Sequence, residues 1–288
     1  MTVRVVVPNK GRLAAGAFDL LRRAGLETMD EGSRALCMPA ANDSVEVVRA
    51  SAWDIPRWIA DGAAQIGITG LDVVEEAARE TEIRLRFDFG TCRLSLAAPE
   101  ESGVRSVADV PQDAVIGTSY PRLVRAFFDS RGSAVRVVEV RGAAEVVPSI
   151  GAGSLVADIV ETGASLRSNG LREIAVLLRS QAVAIVGPAG CGPSDRREVD
   201  RFLDVLEAIA RAGRRRFLIA SGPHSAADEI RAAIDRPPES TLLGLSSAGS
   251  RSVFQATVDL AHVDRLVASI RRRGATEILV VPIDRLVI

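Results

Sequence analysis

Short apolar runs rich in Val and Ile alternate along the chain with stretches of helical period. Val3–Val7 predicts a first strand. Leu13–Ala24 predicts a helix, because Leu13, Ala17, Leu20, Leu21 and Ala24 fall on one face and Gly25 supplies a stop. Val45–Arg49 predicts a second strand. Asp54-Ile55-Pro56 has the form of a helix start, an N-cap acid followed by a first-turn proline, and Asp61-Gly62 ends that helix. Gln65–Thr69 predicts a strand, Leu71–Arg79 a helix, and Arg84–Phe89 and Arg93–Ala98 two more strands. This order predicts an α/β domain with a mainly parallel sheet.

The pattern then repeats. Ala114–Thr118, Val135–Val140 and Leu155–Val160 predict strands, with helices over Pro121–Ser130 and Ala143–Ile150 between them. The chain returns through strands at Glu173–Leu178 and Ala182–Val186. A faint internal echo accompanies the repeat: Asp61-Gly62, strand, Thr69-Gly70 is matched by Gly151, strand, Thr162-Gly163. Two similar α/β lobes joined by crossing strands resemble the two-lobed fold of type II periplasmic binding proteins. Gly187–Ser194 is a turn-rich break, and Arg196–Ala212 predicts a long amphipathic helix. Beyond Gly213 the sequence predicts a small α+β module. Its strands are expected at 217–221, Thr241–Leu245, Val253–Leu260 and Ile278–Val281, and its helices at Ala226–Ile234 and Val263–Arg273. Pro237-Pro238 and Ser246–Ser250 are expected loops. The expected partition is a first lobe from 1–93 and 180–212, a second lobe from 94–179, and a C-terminal module from 213–288.

Composition narrows the function. The 288 residues carry 36 Lys+Arg against 37 Asp+Glu, a net charge of -1. That balance argues against nucleic acid as a partner. Of the cations, Lys10 is the sole lysine. It follows Asn9, so no Gly-Lys-Ser/Thr phosphate loop exists, and a Schiff-base enzyme would have Lys10 alone to use. Cys37, Cys92 and Cys191 are far apart and form no Cys-x-x-Cys pair. The two histidines, His224 and His262, lie in the last quarter, which excludes a histidine triad or multi-histidine metal site in the main body. The start of the chain lacks the apolar stretch of a signal peptide, and no run reaches the length of a membrane span. A cytoplasmic location is expected.

The segment from Asp158 to Leu166 carries the clearest chemistry. An apolar strand ends in acids, and Thr162-Gly163-Ala164-Ser165 opens a helix or tight turn. Backbone N–H groups of Gly163 to Leu166 and the hydroxyls of Thr162 and Ser165 suit a terminal phosphate. Asp158 and Glu161 at its mouth suit ribose hydroxyls or Mg2+. Lys10, Gly11 and Arg12 follow the first strand, where loops of open α/β sheets face the ligand crevice. Arg49, Gly70, Asp72, Arg93, Ser119 and Tyr120 stand at comparable strand ends. Each alone has an ordinary role as cap, turn or core edge; together they make a mouth for a phosphate-rich substrate.

Taken in order, these blocks resemble those of the ATP phosphoribosyltransferases. The matching segments are Pro8–Leu13, Arg49–Pro56, Gly67–Asp72, Phe89–Leu94, Thr118–Pro121 and Asp158–Leu171, and the resemblance runs over essentially the whole chain. It implies attack of adenine N1 of ATP on C1′ of phosphoribosyl pyrophosphate (PRPP), with pyrophosphate leaving in the company of Mg2+. It implies further that Glu161–Leu166 hold the 5-phosphate, with Asp158 and Glu161 near the ribose. Lys10, Arg12, Arg49 and Arg93 would act catalytically, and Gly11, Gly70, Asp72, Ser119 and Tyr120 would line the substrates. Asp158 and Glu161 are also the implied metal ligands. Phe217–Ile288 resembles the ACT-like, ferredoxin-like regulatory domain of the family's long form. That form binds histidine as feedback inhibitor, here with Thr241 as a contact, and assembles as dimers into hexamers. The alternative reading is a two-lobed small-molecule binding protein without catalysis. A prephenate-dehydratase-like enzyme is disfavoured because its Thr-Arg-Phe motif does not occur.

Overall fold

The computed structural model describes residues 2–26, 37–39, 45–142, 144–151, 153–188 and 193–287. Cys191 and the centre of the 187–194 break lie outside the described residues. The chain divides into two units, residues 1–22 with 26–199, and residues 23–25 with 200–288.

In the first unit the elements run β1 (Val3–Pro8), α1 (Ala14–Arg23), β2 (Cys37–Pro39), β3 (Val45–Ala50), α2 (Ile55–Ala60), β4 (Ile66–Gly70), α3 (Leu71–Ala77) and β5 (Glu82–Arg86). They continue with β6 (Cys92–Pro99), β7 (Ala114–Thr118), α4 (Pro121–Asp129), β8 (Val135–Glu139), β9 (Leu155–Val160), α5 (Ala164–Ser168), β10 (Leu171–Ser180) and β11 (Ala182–Val186). Helix α6 (Pro193–Gly213) follows. Two sheets result, ordered β2-β3-β1-β4-β11-β5 and β10-β6-β9-β7-β8.

Both sheets are mixed, which corrects the expectation of a mainly parallel sheet. In the first, β1 is parallel to β3 and β4, while β2, β11 and β5 join antiparallel. In the second, β7 is parallel to β8 and β9, while β6 and β10 join antiparallel. Strands β6, β10 and β11 flank the chain's two crossings between sheets, from β5 to β6 and from β10 back to β11, whereas β2 pairs antiparallel with β3 ahead of either crossing. The two parallel cores repeat one plan. In each, the first strand of the core lies in the middle and a helix (α1 or α4) leads to its neighbour. The third strand, β4 or β9, then feeds a helix through a Thr-Gly step. The sequence echo at Thr69-Gly70 and Thr162-Gly163 marks these equivalent exits.

Apolar burial sets each layer. Ile55 and Ile59 of α2 pack with Val6, Val48, Val183 and Ile185 against the first sheet. Gly67 permits this approach, since a Cβ there would lie 2.6 Å from Ile55 Cγ2. In the second sheet Val124 and Phe128 of α4 cover Leu96, Ile116 and Leu155. Each such side chain contributes roughly 2 kcal/mol on burial.

Several local expectations change. The helix expected at 143–150 is a single 3-10 turn at Ala144–Val146. Pro148 cannot donate to a helical ladder, and Val147 is drawn onto Gly117, whose absent Cβ would meet it at 2.7 Å. Asp54 precedes α2 but its side chain makes no capping bond. Strand β5 ends at Arg86 instead of continuing to Phe89. Phe87 continues the inward face of Ile83 and Leu85 and is fully buried, its N–H reaches the Ala182 carbonyl at 2.9 Å, and its ring stacks on Phe89 at 5.6 Å.

The second unit contains β12 (Arg215–Pro223), α7 (Ala227–Ile234), β13 (Ser240–Ala248), β14 (Arg251–Asp259), α8 (Val263–Arg271) and β15 (Glu277–Pro282). Its four-stranded antiparallel sheet has the order β13-β14-β12-β15. Leu218, Ala220, Phe254, Ala256 and Val258 pack with Ile230, Ile234, Leu266 and Ile270 in its core. The loop expected at Ser246–Ser250 shrinks to a two-residue turn, because Ser246 and Ser247 pair with Val253 and Ser252. Gly249, at φ +62°, opens that turn. No helix among the described residues is long and apolar enough to cross a membrane.

Candidate active site

Helix α3 begins directly at the end of β4, and this junction gathers the first group of polar residues. Asp72 is fully buried. One carboxylate oxygen accepts from Arg12 at 2.6 Å and from the Ser180 hydroxyl at 2.5 Å. The other accepts from the Tyr120 phenol at 2.7 Å. The Asp72 N–H in turn donates to Ser180 Oγ at 3.0 Å. A buried carboxylate is tolerable only when paired and hydrogen-bonded in this way. Gly70 is needed alongside, since a Cβ would lie 2.3 Å from Asp72 Oδ1. Burial opposes the charge on Arg12, but Asp72, Cys92 and Tyr120 together hold the guanidinium pKa above its ordinary value. Burial, reinforced by the Asp72 charge, pushes the Tyr120 phenol well up, so it stays a proton donor.

Arg12 hangs from the turn after β1, where Gly11 adopts φ +83°. Lys10, beside it, is exposed and bonded to none of the described residues. Arg49, the last residue but one of β3, holds its guanidinium 4.6 Å from the Phe18 ring centre. Trp53 leans on Tyr120 with ring centres 5.0 Å apart. The Ser119 hydroxyl donates to the Val140 carbonyl at 2.5 Å and ties the exit of β7 to that of β8.

The second group surrounds the exit of β9. Asp158, Glu161, Thr162, Gly163, Ala164, Ser165 and Leu166 line a cavity of about 200 Å³ together with Glu145. Gly163 has φ +78° and places the start of α5 at the cavity wall. The Ala164 N–H reaches Thr162 Oγ1 at 3.3 Å, whereas the N–H groups of Gly163, Ser165 and Leu166 find no acceptor among the described residues. Burial raises the Asp158 pKa to about 6; the Ile159 N–H opposes this and the Glu145 charge adds to it. Asp158 also bears electrostatically on Tyr120, which links the two groups. Arg93 grips Glu173 through two bonds of 2.6 and 2.7 Å and donates to the Glu161 carbonyl at 3.0 Å. It thereby braces the loop from behind.

Thr241 lies in β13, opposite Thr257 of β14, within the second unit. Glu145, Glu173 and Ser180 were not singled out in the sequence. Glu145 stands in an unremarkable Gly-Ala-Ala-Glu stretch. Glu173 and Ser180 read as polar breaks in an edge strand. Their one signal is position, Ser180 being the polar residue at which the chain crosses between sheets.

Comparison with known proteins decides what this arrangement belongs to. The family model described as ATP phosphoribosyltransferase matches residues 51–208. The curated ATP phosphoribosyltransferase of Gemmatimonas aurantiaca is 37% identical over 291 residues, covering 99% of each chain. This chain belongs to the ATP phosphoribosyltransferase family. The Haloarcula marismortui enzyme is 36% identical over 99% of this chain and 100% of its own. Among solved structures, the ATP phosphoribosyl transferase (HisG:HisZ) complex from Thermotoga maritima superposes with a TM-score of 0.62 at 24% identity. It covers 72% of this chain and 97% of its own, and shows a shared fold. Family membership makes the chain a pentosyltransferase and sets aside the reading as a binding protein without catalysis.

Proposed function

We propose that the chain condenses ATP with PRPP between its two sheets, giving N1-(5-phosphoribosyl)-ATP and pyrophosphate as the first step of histidine biosynthesis. The lone pair of adenine N1 forms the new bond to C1′. The C1′–oxygen bond breaks and pyrophosphate departs with that electron pair, inverting the carbon. Adenine N1 already carries its lone pair, so no general base is required. Catalysis rests on positioning and on charge stabilisation. The observation that carries this reading is full-length similarity to the family, at 37% identity, together with the cavity at Asp158–Leu166.

In this reading the 5-phosphate takes the free N–H groups of Gly163, Ser165 and Leu166. Asp158 and Glu161 face the ribose. Lys10 and Arg12 flank the pyrophosphate, and Asp72 fixes Arg12 and Tyr120 in place. Arg49 completes the cationic rim. Mg2+ suits Asp158 and Glu161, since that ion takes one or two carboxylates along with substrate phosphates and water. Among the described residues no three His, Cys, Asp or Glu gather as a ready cage, which fits a metal that arrives with its ligand. When bound it would neutralise the leaving pyrophosphate.

The fold assignment follows the same logic. Two repeated lobes with crossing strands suit a type II periplasmic-binding-protein-like core, divided as 1–93 with 180–212 and 94–179. The β-α-β-β-α-β order at 213–288 suits a ferredoxin-like, ACT-like regulatory domain. Histidine as its inhibitor, a contact at Thr241, a dimer-to-hexamer assembly and a cytoplasmic location belong to this reading. Mixing ATP, PRPP and Mg2+ with the chain should raise absorbance near the adenine band, and histidine should suppress the rise. No product would reject the reaction; product unaffected by histidine would reject the regulation alone.

A further inference from the structure

Glu145 has no part in the reaction as set out above, yet it enters the cavity. It lies on the 3-10 turn Ala144–Val146, and its Oε1 accepts the Ser165 hydroxyl at 3.0 Å. Ser165 belongs to the segment that would hold the 5-phosphate. The residues lining the cavity include three carboxylates, Glu145, Asp158 and Glu161, and no Lys or Arg. Glu161 is exposed and Asp158 turns one oxygen to the Ile159 N–H at 2.7 Å. Glu145 is thus the acid hydrogen-bonded to the loop's own donor. A phosphoryl oxygen seeking the Ser165 hydroxyl meets a carboxylate already on it. Two anions cannot share that donor without a like-charge cost.

We infer that Glu145 acts as the cavity's resident anion, which must release Ser165 before a phosphoryl group can take it. The inference rests on the reading of this loop as the phosphate subsite. Its consequence is selectivity. A small free anion such as inorganic phosphate must displace Glu145 with nothing else to gain. A phosphoribosyl ligand brings further contacts that offset the displacement. The turn that carries Glu145 is bounded by Gly142 and Gly151, both at positive φ, and is anchored by the buried Ala144 and Val147, with the Val147 N–H on the Ala144 carbonyl at 3.0 Å. Glu145 itself is only partly buried, so release of Ser165 takes a rotation of its side chain with the turn left in place.

Titrating inorganic phosphate into the full chain and into Glu145→Gln by calorimetry tests this. Glu145→Gln keeps size and hydrogen bonding but loses the charge, and should bind phosphate about ten-fold more tightly. Glu145→Ala, which vacates Ser165 altogether, should bind it at least as well. Phosphate affinity unchanged or weakened in both variants would overturn the inference. Turnover of ATP with PRPP by the unsubstituted chain checks the underlying reading separately. Normal turnover with unchanged phosphate affinity removes only the role of Glu145; absence of turnover removes the reaction.

Discussion

The Tyr120 phenol donates a 2.7 Å hydrogen bond to the buried Asp72 carboxylate, joining the start of α4 beside the second sheet to the start of α3 beside the first. A parallel tie stands at the far end of α3, where the Glu76 carboxylate accepts from the N–H groups of Arg122 and Leu123 at 2.8 and 2.9 Å. Helix α3 is thus fastened to the first turn of α4 at two points. Tyr120→Phe removes a bond to a charged group and should cost about 2 kcal/mol of stability. Turnover should fall about ten-fold as Arg12 and Asp72 lose alignment. Denaturant melts and steady-state kinetics on the same preparation check both numbers.

Asp72→Ala should be more damaging, because it strands Arg12 without its carboxylate. Breaking a buried ion pair from one side costs about 3–5 kcal/mol. The double variant Arg12→Met with Asp72→Ala should recover part of that stability and none of the activity. A double variant no more stable than Asp72→Ala would mean the pair is not the source of the loss.

Lys10 and Arg49 separate the two meanings of a cationic rim. Lys10 is exposed, so Lys10→Ala should leave the melting temperature unchanged while turnover drops sharply. Lys10→Arg tests whether a compact ammonium is required there. Arg49 is nearly buried over Phe18, so Arg49→Ala should also cost about 1 kcal/mol of stability. Unchanged kinetics in both alanine variants would remove the rim from the mechanism.

Asp158 should make stability depend on pH. Its folded pKa of about 6 lies above an unfolded value near 4, so the fold favours the protonated carboxyl. The penalty is absent below about pH 4, grows between about 4 and 6, and is complete above. Asp158→Asn should therefore stabilise the chain at pH 7.5 by about 3 kcal/mol and give no gain at pH 4. Equal gains at both pH values would point to a cause other than the charge. Activity should fall in the variant at either pH.

Arg93→Lys should keep the charge beside Glu173 but lose the two-pronged grip and the bond to the Glu161 carbonyl. The loop at Glu161–Leu166 would lose its brace, and the KM for PRPP should rise more than kcat falls. An unchanged KM would show that the loop stands without Arg93.

Much of this was legible in the residues. The apolar runs located most strands, because burial leaves a period-two or continuous signature wherever a sheet is packed. The Thr-Gly steps at positions 69 and 162 marked equivalent strand exits, and the cavity lies at the second of them. The mixed sheets were not legible, since strand direction depends on where the chain crosses, and β11 carries no mark of its partner. Asp72 read as one acid among several at a helix start, and its four bonds come from residues 48 to 108 positions away. Glu173 depends on contacts of the same long range, 78 and 80 positions away, and Glu145 on one 20 positions away. The expected 143–150 helix failed because the pull of Val147 toward Gly117 is a tertiary effect.

The double crossing between sheets also bears on how the chain is made. The second sheet is built from one continuous stretch, Cys92–Ser180, whereas β11, which sits between β4 and β5 in the first sheet, follows it in sequence. During synthesis from the N-terminus, β4 waits with an open edge until some 110 further residues have emerged. The insert can close its own ladder first, and the earlier-made lobe is completed last. The charged pattern of β5, with Glu82, Arg84 and Arg86 exposed, then reads as protection for a strand that must not pair elsewhere during that delay.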